Sequence, residues 1–185
     1  MEIELVRGDI VEESVDAVVT AANPSLTGGG GVDGAIHAAA GPELARAGAA
    51  LAPCPPGDAK ATPSFGLGPR IRWVIHAVGP IWRGGDRGEA ETLASCYRRI
   101  LEVADELGAR TVSIPAISTG VYGFPVAPAA RTAVRTLRTA PSQVERVRLV
   151  AFDQANHDAL AAALAADGDS GPPTDSGWGG VRGAP

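Results

Sequence analysis

Short apolar runs alternate along the chain with longer stretches whose apolar positions recur every three or four residues. Ile3–Val6 and Asp16–Ala21 (DAVVTA) predict strands, the second with the unbroken Val/Ala character of a strand buried on both faces. Ile71–Val78, Thr111–Ile114 and Val144–Phe152 predict three more, and Ala59–Phe65 a short edge strand. Between them lie predicted helices at Val32–Ala40, at Pro42–Leu51 with proline in the first turn, at Glu89–Leu107, at Pro125–Leu137 and at Asn156–Ala165. In Glu89–Leu107 the residues Leu93, Cys96, Ile100, Ala104 and Leu107 fall on one face, and Gly108 follows as a natural C-cap. Strands separated by helices of this length imply an α/β domain with helices on both faces of a sheet.

With 185 residues the chain suits one domain, drawn here at 1–166, with enough length to bury a core. Aromatics are only 4% of it, so that core must be built mainly from Ala, Val, Leu and Ile. From Gly168 to Pro185 half the residues are Gly or Pro without apolar period, so residues 167–185 read as a disordered tail, in which Trp178 has no evident role. The net charge of -5 argues against a broad nucleic-acid surface but not against one anionic ligand, since backbone amides and helix N-termini hold phosphates regardless of net charge. Cys54 and Cys96 are too few for a disulfide scaffold and show no paired metal spacing. Met1–Gly8 carries Glu2 and Glu4 and has neither a signal-peptide nor a membrane-span pattern, so a cytoplasmic location without membrane contact is the expectation.

Two glycine loops, each between a strand and a helix, carry the chemistry. In the first, Asn23 to Gly34 (NPSLTGGGGVDG), Gly28–Gly31 let the backbone approach a ligand, and their amides, with the N-terminus of the next helix, form an anion site. A flexible connector is the bland alternative. No Lys-Ser or Lys-Thr follows, which argues against a P-loop, and the match to GxGxxG is one that any glycine run would give. In the second, Ile117 to Pro125 (ISTGVYGFP), Gly120 and Gly123 serve the same purpose and Pro125 suits the first position of a helix. Two such loops suggest a clamp on a diphosphate.

These segments resemble the macrodomain family, in particular its MacroD-type branch of ADP-ribosyl hydrolases and O-acetyl-ADP-ribose deacetylases. The resemblance rests on Ala21-Ala22-Asn23, Gly28–Gly41 (GGGGVDGAIHAAAG) and Ala116–Pro125 (AISTGVYGFP). Gly8-Asp9-Ile10, Cys54–Lys60 (CPPGDAK) and Val74–Pro80 (VIHAVGP) agree in order, so that it spans roughly residues 1–165. It implies a three-layer α/β/α sandwich around a central mixed β-sheet. It also implies that Asp9 and the Ile10 amide receive adenine, that Gly31, Val32 and the amides of Ser118, Thr119, Gly120, Val121 and Tyr122 cradle the diphosphate, and that Phe152 lies near ribose and adenine. Asn23 would orient the terminal ribose and Asp33 would activate a water. Thr20 stands where the family commonly has Asn, which keeps a hydroxyl but loses an amide, and Pro56 replaces a usual Thr.

The implied reaction is hydrolysis of an ester at the terminal ribose of ADP-ribose, joined to an acidic protein side chain or to acetyl, with no cofactor or metal. A positioned general base contributes a factor of about 10²–10⁴. Each candidate also has a plain structural alternative: Asp33 as a helix cap, Asn23 as a turn residue before Pro24, His37 (one turn after Asp33) as a partly buried histidine rather than one orienting Asp33 or water. His76, His157 and Cys96 read as structural, and nothing in sequence activates Cys54 as a nucleophile. The expected partners are ADP-ribose, O-acetyl-ADP-ribose or ADP-ribosylated proteins, bound by a monomer. A reader module that binds ADP-ribose without turning it over shares every phosphate and adenine contact, and an RNA-binding protein is disfavoured by the acidic balance.

Overall fold

A computed structural model describes residues 1–168; the expected disorder of the tail beyond them, with Trp178, lies outside the described residues. Its elements are β1 (Glu2–Arg7), β2 (Val15–Ala21), α1 (Gly31–Ala40), α2 (Pro42–Leu51), β3 (Ala59–Pro63), β4 (Ile71–Ala77), α3 (Glu89–Glu106), β5 (Thr111–Pro115), α4 (Val126–Thr139), β6 (Arg146–Ala151) and α5 (Gln154–Gly168), with single 3-10 turns at Ile10–Glu12 and Phe65–Leu67.

The six strands form one sheet in the order β1-β6-β5-β2-β4-β3, parallel throughout except that β3 runs antiparallel to β4. This is the mixed sheet expected. Alternate residues of each strand serve opposite layers. Ala17 and Val19 of β2 pack with Ile75, Ile114 and Leu149 against α3, α4 and α5. Val18 packs with Val74 against Ile36 of α1 and Leu44 of α2. Burying Ile36 and Leu44 fully contributes about 1.5–3 kcal/mol each, which fixes α1 over β2 and β4 and so places the first glycine loop.

Several boundaries differ from the expectation for local reasons. The first helix starts at Gly31, one residue early. Pro125 is the N-cap of α4, with extended ψ, rather than its first residue. Helix α3 is capped at Leu107, and Gly108 follows it in the left-handed region at φ 68. The last strand begins at Arg146 because the amides of Glu145 and Arg146 both donate to Arg110 O, turning the chain there; Phe152 lies beyond its end.

Candidate functional site

The first glycine loop is not a loose connector. Leu26 is fully buried with Ala22, Cys54 and Val78, and Cys54 N donates to Pro24 O at 3.0 Å. Two helical glycines admit the loop at close range. A β-carbon at Gly34 would stand 2.6 Å from Gly29 O, and one at Gly48 would overlap Leu26 O.

Asp33 sits in the first turn of α1, whose N-cap is Gly30 with no side-chain cap. Its carboxylate faces the sheet instead of the helix end. Thr20, on the same face of β2 as Val18, donates from Oγ1 to Asp33 Oδ1 at 2.7 Å, and both side chains are buried. The other oxygen looks into the loop: a β-carbon at Gly29 would stand 3.4 Å from Asp33 Oδ2 and 3.5 Å from Asn23 Nδ2. Burial pushes the Asp33 carboxyl above its ordinary value, against the opposing pull of the Thr20 hydrogen bond and of His37.

His37 Nε2 lies 3.5 Å from Asp33 Oδ1, close enough for charge to be felt but without a hydrogen bond. Its ring abuts Gly28, where a β-carbon would stand 3.3 Å from His37 Cγ, and meets the His76 ring edge-on at 6.1 Å between centroids. His76 is fully buried, shares a hydrogen bond with Thr62 Oγ1 at 3.0 Å, and is held neutral by burial, which pulls its pKa down to about 4. It is structural, as read from the sequence.

Asn23 does form the turn its Pro24 neighbour suggests. Its Oδ1 accepts from Ser25 N at 3.1 Å and from Ser25 Oγ, and its Nδ2 donates to Gly28 O at 3.2 Å. The Nδ2 group carries two hydrogens, so this turn and a ligand contact use different ones.

The second loop meets the first across a cleft of about 320 Å³. Asn23, Gly31, Val32 and Asp33 line one side, Ser118, Gly120, Val121 and Tyr122 the other, with Gly79 at the end of β4 between them. Ser118 takes φ 67, a costly conformation for a residue with a side chain, and its carbonyl accepts from Phe124 N at 2.9 Å. Trp82 N donates to Tyr122 O at 2.8 Å, and the Trp82 ring packs on Phe124 with centroids 4.7 Å apart. Both loops therefore hang from the core. Among the described residues lining the cleft there is no Lys or Arg, and Asp33 is the one acid. The positive ends available to a ligand are the backbone amides and the N-terminus of α1.

Not every candidate faces the cleft. The Thr119 hydroxyl donates to Asn156 Oδ1 at 3.0 Å, so Thr119 has only its amide to offer. Asp9 caps the 3-10 turn at Ile10–Glu12, one oxygen accepting from Val11 N at 3.1 Å, and Ile10 is buried beside Val15. Phe152 is 73% exposed just past β6. Gly8 N donates to Ala151 O at 3.1 Å, so Asp9 and Phe152 stand together beyond the carboxyl ends of β1 and β6, on the far side of β5 from Asn23 and Asp33. Cys54 and Cys96 are both buried, with burial raising each thiol, which suits the core role given to Cys96 and leaves Cys54 unreactive. Sequence reading gave Gly79 no place in the cleft and treated Thr20 only as a family departure; the Val78-Gly79-Pro80 end of a strand was the available signal for Gly79. Among the described residues no group of three or more His, Cys, Asp or Glu could hold a metal, and no helix is long and apolar enough to cross a membrane.

The Macro domain family model matches residues 19–133. A macro domain-containing protein of Streptomyces coelicolor is 51% identical over 168 residues, covering 88% of this chain and 98% of its own. One from Chlorobaculum tepidum is 48% identical over 167 residues, covering 89% and 96%. Among solved structures, a mutant Oceanobacillus iheyensis macrodomain with ADPR superposes at a TM-score of 0.83 with 39% identity, over 89% of this chain and 92% of that one. A Trypanosoma brucei macrodomain in complex with ADP-ribose gives 0.79 with 35% identity, over 88% and 69%.

Proposed function

The chain belongs to the Macro domain family, and from that premise we propose that it binds ADP-ribose across the cleft and hydrolyses an ester on the terminal ribose, releasing ADP-ribose from acidic protein side chains or acetate from O-acetyl-ADP-ribose. Ligand binding is supported by the Oceanobacillus iheyensis and Trypanosoma brucei macrodomains, similar proteins whose structures hold ADPR and ADP-ribose. The diphosphate lies against the N-terminus of α1 at Gly31 and Val32 and the amides of 118–122. Adenine extends toward Asp9, Ile10 and Phe152, and the terminal ribose toward Asn23.

The observation that carries hydrolysis is the placement of Asp33. An anionic ligand is bound more weakly when a carboxylate stands in its site without a cation, so a module that only reads ADP-ribose gains nothing from Asp33. A base does: Oδ1 is tied to Thr20, Oδ2 is turned toward the loop at Gly29, and a carboxyl raised by burial sits closer to working pH as a proton acceptor. Asp33 takes one proton from water as its oxygen attacks, the ester C–O bond breaks, and Asp33 returns the proton to the departing oxygen, giving a carboxylic acid and a ribose hydroxyl. His37, 3.5 Å from Asp33, stabilises the carboxylate when protonated. Asn23 holds the ribose with the second hydrogen of Nδ2.

The test is release of free ADP-ribose from a protein modified on glutamate, by wild type and by Asp33→Ala. Release by wild type alone, with ADP-ribose affinity kept in both, is expected. Turnover surviving intact in Asp33→Ala removes Asp33 as the base. Binding without release by the wild type leaves a reader, or a deacetylase restricted to the small metabolite, which acetate release from O-acetyl-ADP-ribose separates.

A further inference from the structure

Thr20 is a polar residue where the fold asks for an apolar one. It is fully buried near the end of β2 between Val19 and Ala21, paired in register with His76 of β4. Valine has nearly its shape and would not need a partner for a buried hydroxyl. A β-branched side chain has few χ1 states, so the hydroxyl position is set by a strand in the middle of the sheet. Asp33 is set independently, by the packing of Ile36 and Ala40 of α1 against Val18 and Val74. Two rigid elements thus meet in one hydrogen bond of 2.7 Å, buried from solvent.

We propose, on the basis of the hydrolase reading above, that Thr20 is a positioning residue for the reaction: its hydroxyl clamps Asp33 Oδ1 and so presents Oδ2, ionised, to the cleft. The groups facing Asp33 are few enough to make this one decisive. From α1 there is His37, without a hydrogen bond to it; from the loop there are Asn23 Nδ2 and Gly29. His76 of β4 lies behind His37, bonded to Thr62. No Lys or Arg among the described residues lines the cleft. Thr20 therefore supplies the hydrogen bond that offsets the desolvation of a buried carboxylate, a kind of bond stronger than its neutral counterpart. Without it the carboxyl protonates more readily and is free to rotate its acceptor oxygen out of line.

The experiment compares Thr20→Val, which keeps the shape, and Thr20→Ser, which keeps the hydroxyl, with wild type in the full chain. Asp33 titration is followed by carboxyl-carbon NMR, ADP-ribose affinity by calorimetry, and ADP-ribose release as kcat and KM against pH. In Thr20→Val, Asp33 titrates at higher pH, the acidic limb of kcat moves the same way, and kcat falls about ten- to a hundredfold while KM and ADP-ribose affinity hold. Thr20→Ser restores both the titration and kcat. A Thr20→Val protein with wild-type titration and pH profile overturns the assignment, as does a Thr20→Ser protein that loses both. A wild type without turnover overturns the hydrolase reading alone, and the titration then decides the role of Thr20.

Discussion

A β-carbon at Gly79 would overlap Ser118 Oγ and stand 2.6 Å from Ile117 Cγ2. The end of β4 and the second glycine loop are thus in contact at a place where only hydrogen fits, and the left-handed turn at Ser118 depends on that fit.

Gly79→Ala should therefore displace Ile117 and Ser118. Overpacking of this kind costs about 1–3 kcal/mol of stability, and the misplaced amides of 118–122 should weaken ADP-ribose binding by about tenfold or more. Urea denaturation and calorimetry read the two effects. A destabilised protein with unaltered affinity would show that this loop does not hold the diphosphate.

Gly120→Glu separates fold from binding. Nothing stands within 4 Å of a β-carbon there, so the side chain has room and stability should be unchanged. It brings a negative charge into the cleft wall, and like charges at about 4 Å repel by ~1–4 kcal/mol at effective dielectric constants of water to protein surface. ADP-ribose affinity should fall by about tenfold to a thousandfold. Equal affinity in calorimetry would move the ligand elsewhere.

His76 makes stability pH-dependent. In the unfolded chain it binds a proton below its ordinary 6.5, and in the folded protein only near 4. The unfolded state thus holds more protons between these values, and stability present above about pH 6.5 is lost as pH falls through that window to about 4, by ~3 kcal/mol at most. Asp33, raised in the fold, acts in the opposite sense. Urea midpoints between pH 7.5 and 4.5 should fall less steeply for His76→Phe than for wild type; parallel curves would show that His76 is not the source.

The architecture was readable because its signals are local. DAVVTA is apolar on both faces, which a central parallel strand needs, and Leu93, Cys96 and Ile100 keep helical period over a long stretch. The glycine loops were equally plain. What could not be read is set by contacts across layers. Thr20 and Asp33 are 13 residues apart, and their bond exists only once α1 lies over β2. Thr119 looked like its neighbours in the loop, yet its hydroxyl is taken by Asn156 of α5, 37 residues on. Asn23 was legible in both its roles, as a turn former and as a cleft residue, because a side-chain amide has atoms enough for each.

The burial of Leu26 beneath the first glycine loop bears on the thermodynamics of recognition. Ordering a free backbone costs about 1–2 kcal/mol per residue, so a mobile loop of this length would consume on the order of 10 kcal/mol of whatever its amides gained from a phosphate. Here that entropy is lost when the chain folds, and the hydrophobic contacts of Leu26 with Ala22, Cys54 and Val78 compensate it then. Affinity for the ligand is in this sense stored in a small apolar cluster of which only Ala22 lines the cleft.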